Sequence, residues 1–211
     1  MRFDGFNPDG FAFYDELERD NTREWWLANK ARYDEHVRAP AEALAAELEP
    51  EFGPLKIFRP YKDVRFSADK RPYKDHLGMV STSLTEPALY LQFSQHGLVL
   101  GGGLYQPSRE QLARFRELVD DSRSAEDVAA AVARAEAAGF ALTTEGKVAT
   151  APRGYRTDHP RIDLLRLTRL AISRRYPQED WMLRPEAFDT ISADWRVVSA
   201  WNDWLAAAIR P

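Results

Sequence analysis

Apolar and polar positions follow two different periods along this chain, and the period changes near Leu55. Up to that point it is helical. Phe11, Tyr14 and Leu17 recur at three-residue spacing behind Asn7-Pro8, an N-cap followed by a first-turn proline. After a break at Asp20-Asn21, Thr22 caps a second helix with Trp26, Tyr33 and Val37 on its inner stripe. Pro40 opens a third, carrying Leu44 and Leu48, which stops before Pro50 and the Phe52-Gly53-Pro54 turn.

From Ile57 the period is two. An extended segment there puts Arg59, Tyr61, Asp63, Arg65 and Ser67 on one face and Phe58, Lys62, Val64 and Phe66 on the other. Ser67 to Pro72 reads as a loop and His76 to Ser83 as a second strand. Ala88–Ser94 and Leu98–Leu104 form a hairpin through Gln95-His96-Gly97, closed by Gly101-Gly102-Gly103. That triplet lacks the Gly-Lys-Ser/Thr ending of a phosphate loop, so it marks a strand end where another segment passes close. Ser108 caps a helix to Asp120, and Ser124 with Asp127 resembles a capping box opening an Ala-rich helix that ends at Gly139. Phe140–Thr144 and Lys147–Thr150 read as a hairpin through Glu145-Gly146, Arg161–Leu170 as a helix and Ala171–Tyr176 as a strand. The tail from Pro185 is a helix with Trp195, Val198, Trp201 and Leu205 on one face. The expectation is one α+β domain over residues 1–211 with a largely antiparallel sheet: a helical layer at 1–50, mixed sheet and helices at 55–176, and a C-terminal helix at 185–211.

Composition narrows the chemistry. The 211 residues are 44% hydrophobic and include no cysteine, which excludes disulfides, thiolate metal sites and thiol nucleophiles. No stretch approaches the roughly 20 apolar residues needed to cross a bilayer, and Met1-Arg2-Phe3-Asp4-Gly5 lacks the apolar run of a signal peptide. The expected location is the cytoplasm, and an Arg-rich, Ala-rich composition hints at a GC-rich bacterial genome. The net charge of −4 hides two cationic islands. Residues 56–74 and residues 153–175 each hold seven Lys/Arg against two Asp, a local +5, so the remainder stands at −14. A mostly acidic surface repels a long nucleic acid, so a small anionic ligand fits these islands better and nucleic acid is the weaker alternative.

The first island reads Arg59-Pro60-Tyr61-Lys62-Asp63-Val64-Arg65-Phe66-Ser67-Ala68-Asp69-Lys70-Arg71-Pro72-Tyr73-Lys74-Asp75-His76. It resembles the signature of a bacterial family, domain of unknown function 2461: Arg-x-x-Arg-Asp-x-Arg-Phe, then Asp/Asn-Lys and a Tyr three residues after that Lys. Arg59, Asp63, Arg65, Phe66, Asp69, Lys70 and Tyr73 match, and Lys62 stands where the family has Arg. Asn21-Thr22-Arg23-Glu24-Trp25-Trp26 is similar to the family's Asn-Asn-x-Arg-Glu-Trp-Phe, and Arg153-Gly154-Tyr155 with Asp158-His159-Pro160 to its Arg-Gly-Tyr/Phe and Asp-His-Pro. The likeness covers nearly the whole chain and implies no activity, because the family has none assigned.

The residues themselves leave alternatives open. Arg59 and Arg65 around Asp63 make either a neutralised structural network or a fork for a carboxylate or phosphate. Arg59, Lys62, Asp63, Arg65, Asp69, Lys70, Tyr73 and Arg153 are the candidate ligand-binding residues, and Lys70, Tyr73 and His159 the candidate acid–base groups. Lys70 can be crowded by Arg65 and Arg71, while Tyr73 serves equally as packing. Asp158 beside His159 either orients a base or caps a helix. His76 has no neighbour at metal-ligand spacing, so no metal is expected there, and the sequence leaves any cofactor unknown. No serine sits in a Gly-x-Ser-x-Gly elbow. Trp25-Trp26 reads as core packing before it reads as a stacking platform. Three functions follow: an anion-binding protein with or without catalysis, a nucleic-acid module using the basic strand, or an interaction protein whose Arg row is structural.

Overall fold

In a computed structural model, which describes residues 2–63, 65, 68–82 and 86–210, these patterns become an α+β fold with a largely antiparallel sheet. The strands are β1 (Lys56–Ile57), β2 (His76–Val80), β3 (Ala88–Ser94), β4 (Gly97–Leu104), β5 (Ala141–Leu142) and β6 (Leu170–Tyr176), in the order β1-β2-β3-β4-β6-β5. The helices are α1 (Pro8–Arg19), α2 (Arg23–Tyr33), α3 (Ala39–Phe52), α4 (Arg109–Asp120), α5 (Ser122–Ala137), α6 (Ile162–Leu165) and α7 (Ala187–Ala208). By contacts the chain divides into two compact units: Met1–Ser81 with Tyr90–Leu100 and Arg175–Ala193, and Thr82–Leu89 with Gly101–Arg174 and Asp194–Pro211.

In the first unit the caps act where the sequence puts them. The Asn7 side chain accepts from Asp9 N–H and that of Thr22 from Trp25 N–H. Pro40, however, does not open a separate helix. The chain stays helical through a π-turn at Asp34–Arg38, where Ala39 N–H donates to Asp34 five residues back, and the proline's missing donor falls in the widened turn. Pro50 lies inside the last turn of α3, which ends at Gly53. Phe13, Tyr14, Trp26 and Tyr33 form an aromatic core, with Phe6, Phe11 and Tyr14 packed on Phe93. β2 and β3 run antiparallel in the register His76↔Ser94, Gly78↔Gln92, Val80↔Tyr90. Their other face, Leu77, Met79, Leu91 and Phe93, is fully buried.

In the second unit Leu104, Phe115, Val119, Val128, Leu165, Leu167, Leu170, Leu205 and Ile209 make one apolar cluster. The predicted face of the C-terminal helix is correct, since Trp195, Val198, Trp201 and Leu205 are all buried. Three expectations change here. Asp121 rather than Ser124 caps α5, accepting from Ser124 N–H. The 140–150 hairpin does not form: β5 pairs with β6 instead, in the register Ala141↔Ser173, because the apolar start of β6 is a better partner than the half-buried Lys147 and the exposed residues 148–150. The 161–170 helix stops at Leu165, where Arg116 takes the Leu165 and Leu167 carbonyls at 3.0 and 3.4 Å and Leu170 enters β6.

Candidate functional site

The first cationic island is an arch, not a strand. β1 ends at Ile57, and beyond it Tyr61 meets Tyr73 in an isolated antiparallel bridge. Lys62 N–H donates to Pro72 C=O and Lys74 N–H to Pro60 C=O, both at 2.8 Å. The predicted two-residue alternation fails for a local reason. Pro60 and Pro72 cannot donate to a longer ladder, and the Asp63 and Asp69 side chains accept from the N–H groups of Arg65 and Arg71, closing turns that compete with extended backbone. Val64, Phe66 and Ser67, which the alternation also placed, lie outside the described residues, as does Ser83 at the expected end of the second strand.

Each aspartate of the arch holds the arginine two residues on. Asp63 grips Arg65 at 2.9 and 2.6 Å, and Asp69 grips Arg71 at 3.0 and 2.8 Å while accepting from Lys62 Nζ at 2.9 Å. The hydrogen bonds from Arg71 and then Lys62 hold the Asp69 carboxyl far below the usual range, and Arg65 lowers that of Asp63. Among the described residues no carboxylate lies within ion-pair distance of the exposed Arg59 guanidinium, so the expected Arg59–Asp63–Arg65 row is an Asp63–Arg65 pair on which Arg59 acts only through its more distant charge. Beside it, Lys74 Nζ donates to the Arg59 carbonyl at 2.8 Å and sits 5.1 Å from the Phe58 ring centroid. Burial, then the Arg59 charge, lower the Lys74 ammonium's pKa. Lys70 is exposed on the same arch.

Two segments far apart in sequence lock the arch in place. The Asn21 side chain accepts from Tyr73 N–H at 3.0 Å and donates to Tyr73 C=O at 3.1 Å, completing the backbone as a neighbouring strand would. The buried Tyr73 ring stacks on Trp26 at 4.2 Å and 9°, and Tyr61 leans on both with 48% of its surface exposed. Trp26 is thus core, and Tyr73 is packing; burial pushes its phenol up, away from titration near neutral pH.

The arch adjoins a polar face that sequence reasoning overlooked. Residues paired directly across β2 and β3 point the same way, so His76, Gly78, Val80, Tyr90, Gln92 and Ser94 share the side opposite Leu77, Met79, Leu91 and Phe93, with Val80 and Ser94 buried at its ends. The signal was legible in Tyr90-Leu91-Gln92-Phe93-Ser94, a polar position at every second residue. A Cβ on Gly78 would meet the Phe58 ring and the Tyr90 hydroxyl at 3.1 Å, so the Phe58 ring, over which the Lys74 ammonium sits, lies against this face. Tyr90 Oη donates to Gln92 Oε1 at 3.2 Å.

Asp75 Oδ1 lies 2.7 Å from His76 Nδ1, and this hydrogen bond is the first cause lowering the Asp75 carboxyl from 3.8 to about 2. A carboxyl depressed on folding contributes stability above its unfolded pKa that is lost as pH falls through the folded one. Asp75→Asn is therefore expected to be less stable than the parent near neutrality, with the gap closing as pH drops from about 4 to about 2. Urea unfolding across that range measures it, and a gap independent of pH would contradict the ionised pair.

The second island spends its arginines differently. Arg161 donates to the Val119 and Asp120 carbonyls at the end of α4, Arg174 to the Ala138 carbonyl and to Asp194, and Arg156 pairs with Asp158. Arg169 lies over the Tyr105 ring at 4.0 Å. His159 has both nitrogens engaged: Nδ1 accepts from Arg161 N–H at 3.0 Å and Nε2 faces Asp120 Oδ1 at 3.2 Å, so Asp120 rather than Asp158 is its carboxylate. Arg153 is exposed and belongs to this second unit. Among the described residues no group of three His, Asp or Glu is placed to hold a metal ion, and no helix is long and apolar enough to cross a membrane.

A family model described as "Conserved hypothetical protein (DUF2461)" matches residues 9–204. No curated protein and no solved structure matches the chain.

Proposed function

Because the chain belongs to the DUF2461 family of conserved hypothetical proteins, whose description supplies no ligand, we propose from the residues themselves that it binds a small phosphate- or carboxylate-bearing anion at the arch. One observation carries this reading. Arg59 and Lys74 are neighbouring cations without a carboxylate at ion-pair distance among the described residues, whereas Lys62, Arg65 and Arg71 each have one. Two adjacent positive charges raise each other's energy in a partly desolvated setting, and a bound oxyanion relieves both at once. Asp63 and Asp69 hold Arg65 and Arg71 in the arch as largely neutralised pairs, which leaves Arg59 and Lys74 as the cations that face a ligand. Tyr61 offers an exposed ring at the rim, against which the rest of the ligand can lie.

Calorimetric titration with pyrophosphate and with citrate tests this. A hydrogen-bonded charge pair is worth about 1.5–3 kcal/mol, so Arg59→Ala is expected to weaken binding by about 10- to 100-fold. If Arg59→Ala binds both anions as tightly as the parent, the arch is not the site. A band shift on duplex DNA at low salt that Arg59→Ala removes, with neither small anion bound, would move the reading to nucleic acid.

A further inference from the structure

The chain contains Asp-His twice, as Asp75-His76 and Asp158-His159, and the fold treats the two in opposite ways. His159 is saturated, with a backbone N–H on one nitrogen and Asp120 on the other. His76 receives its neighbour's carboxylate on Nδ1 at 2.7 Å, and among the described residues nothing is hydrogen-bonded to its Nε2. An ionised carboxylate only accepts, so Nδ1 carries the proton of the neutral ring and Nε2 presents its lone pair. That ring shares a face with Gly78, one strand repeat away at roughly 7 Å, and Gly78 abuts Phe58, the ring beneath Lys74 and next to Arg59. An oriented base thereby lies on the strand face against which Phe58, the ring beneath Lys74, packs, with Lys74 two residues before it in the chain.

Resting on the anion-binding reading, we infer that His76, oriented by Asp75, is the general base of a hydrolytic site whose substrate is a phosphate ester. Two adjacent cations suit a phosphoryl group, which spreads charge over several oxygens, better than a single carboxylate. Nε2 takes a proton from a water molecule as the water oxygen bonds to phosphorus. The bond from phosphorus to the ester oxygen breaks, its electron pair stays on that oxygen, and the Nε2 proton passes to it. Phosphate and an alcohol result, with nothing oxidised or reduced. Asp75 stabilises the imidazolium formed midway, while Arg59 and Lys74 oppose the charge on the phosphoryl oxygens.

Para-nitrophenyl phosphate and bis(para-nitrophenyl) phosphate are the probes, with pyrophosphate binding measured in parallel. The parent protein is expected to hydrolyse at least one of them. His76→Gln should lower kcat by about 100-fold or more with KM changed less than about threefold, and should still bind pyrophosphate, which shows that it is folded. Nitrogen-15 spectra should show the Nδ1–H tautomer of His76 in the parent and its loss in Asp75→Asn, a change that a purely structural pair would not link to kcat. Pyrophosphate binding without turnover of either ester, or turnover by His76→Gln at the parental rate, overturns the catalytic assignment and leaves the binding reading standing. Absence of anion binding overturns both.

Discussion

Gly102→Ala is expected to destabilise the protein by about 3 kcal/mol or more, lowering the melting temperature by about 6–12 °C for a chain of this size. A Cβ at this position would stand 2.0 Å from the Ala88 carbonyl oxygen and 2.5 Å from Val198 Cγ1. The first obstacle is backbone of a neighbouring strand and cannot rotate away, while the second belongs to a fully buried residue of α7. Either β4 leaves the sheet or the helix lifts from it, and both expose apolar surface. The flanking glycines are equally confined, by the Ile172 and Leu170 carbonyls at 2.4 and 2.3 Å. The triplet therefore serves close backbone approach, as its missing Lys-Ser/Thr ending implied, and no phosphate loop is present at it. Thermal unfolding followed by circular dichroism measures the effect, and a shift below about 2 °C would show that the strands part more easily than this packing allows.

Trp26→Ala should cost about 3–5 kcal/mol. The side chain is 2% exposed and touches Phe13, Tyr33 and Tyr73, so removal leaves a large cavity beneath the arch as well as lost transfer energy. A second consequence separates this variant from an ordinary core deletion. Tyr73 loses the ring it lies flat upon, and the Lys62 and Lys74 amides that bridge the arch are expected to exchange with solvent faster than those of β2 and β3. Trp26→Phe should retain part of the stack and fall between the two. Urea unfolding gives the energy and amide exchange the locality; a loss under about 1 kcal/mol, or uniform exchange, would mean the arch stands without its aromatic base.

How much of this was legible beforehand varied with the range of the forces involved. Asn7, Thr22 and Ser108 announced their helices because a cap acts within three residues. The β3–β4 hairpin was equally local, turning at Gln95-His96 with Gly97 at a φ of +105°. Where two partners competed, sequence alone misjudged. Residues 140–144 had an adjacent candidate at 147–150 and a distant one in β6, and the buried strand won. The segment from Ile57 alternated like a strand, yet prolines and Asp side chains turned its described residues into the arch.

The candidate site divides along the same line. Sequence located its cationic segment, Arg59 to Lys74, through charge density and family resemblance, because both are properties of residues in order. It could not tell Arg59, without a carboxylate partner, from Arg65, held by Asp63, since that depends on where a side chain ends rather than where it begins. Nor could it choose between two identical Asp-His dipeptides. It favoured His159, which the fold closes with Asp120 and the Arg161 amide, over His76, which the register of β2 and β3 sets on the same strand face as Gly78 and Gln92. Residue order determined the α+β class, the helix starts and the position of the charge. Only tertiary packing decided which cations lack a carboxylate and which imidazole nitrogen lacks a hydrogen bond among the described residues, because hydrogen-bond saturation is set by neighbours in space.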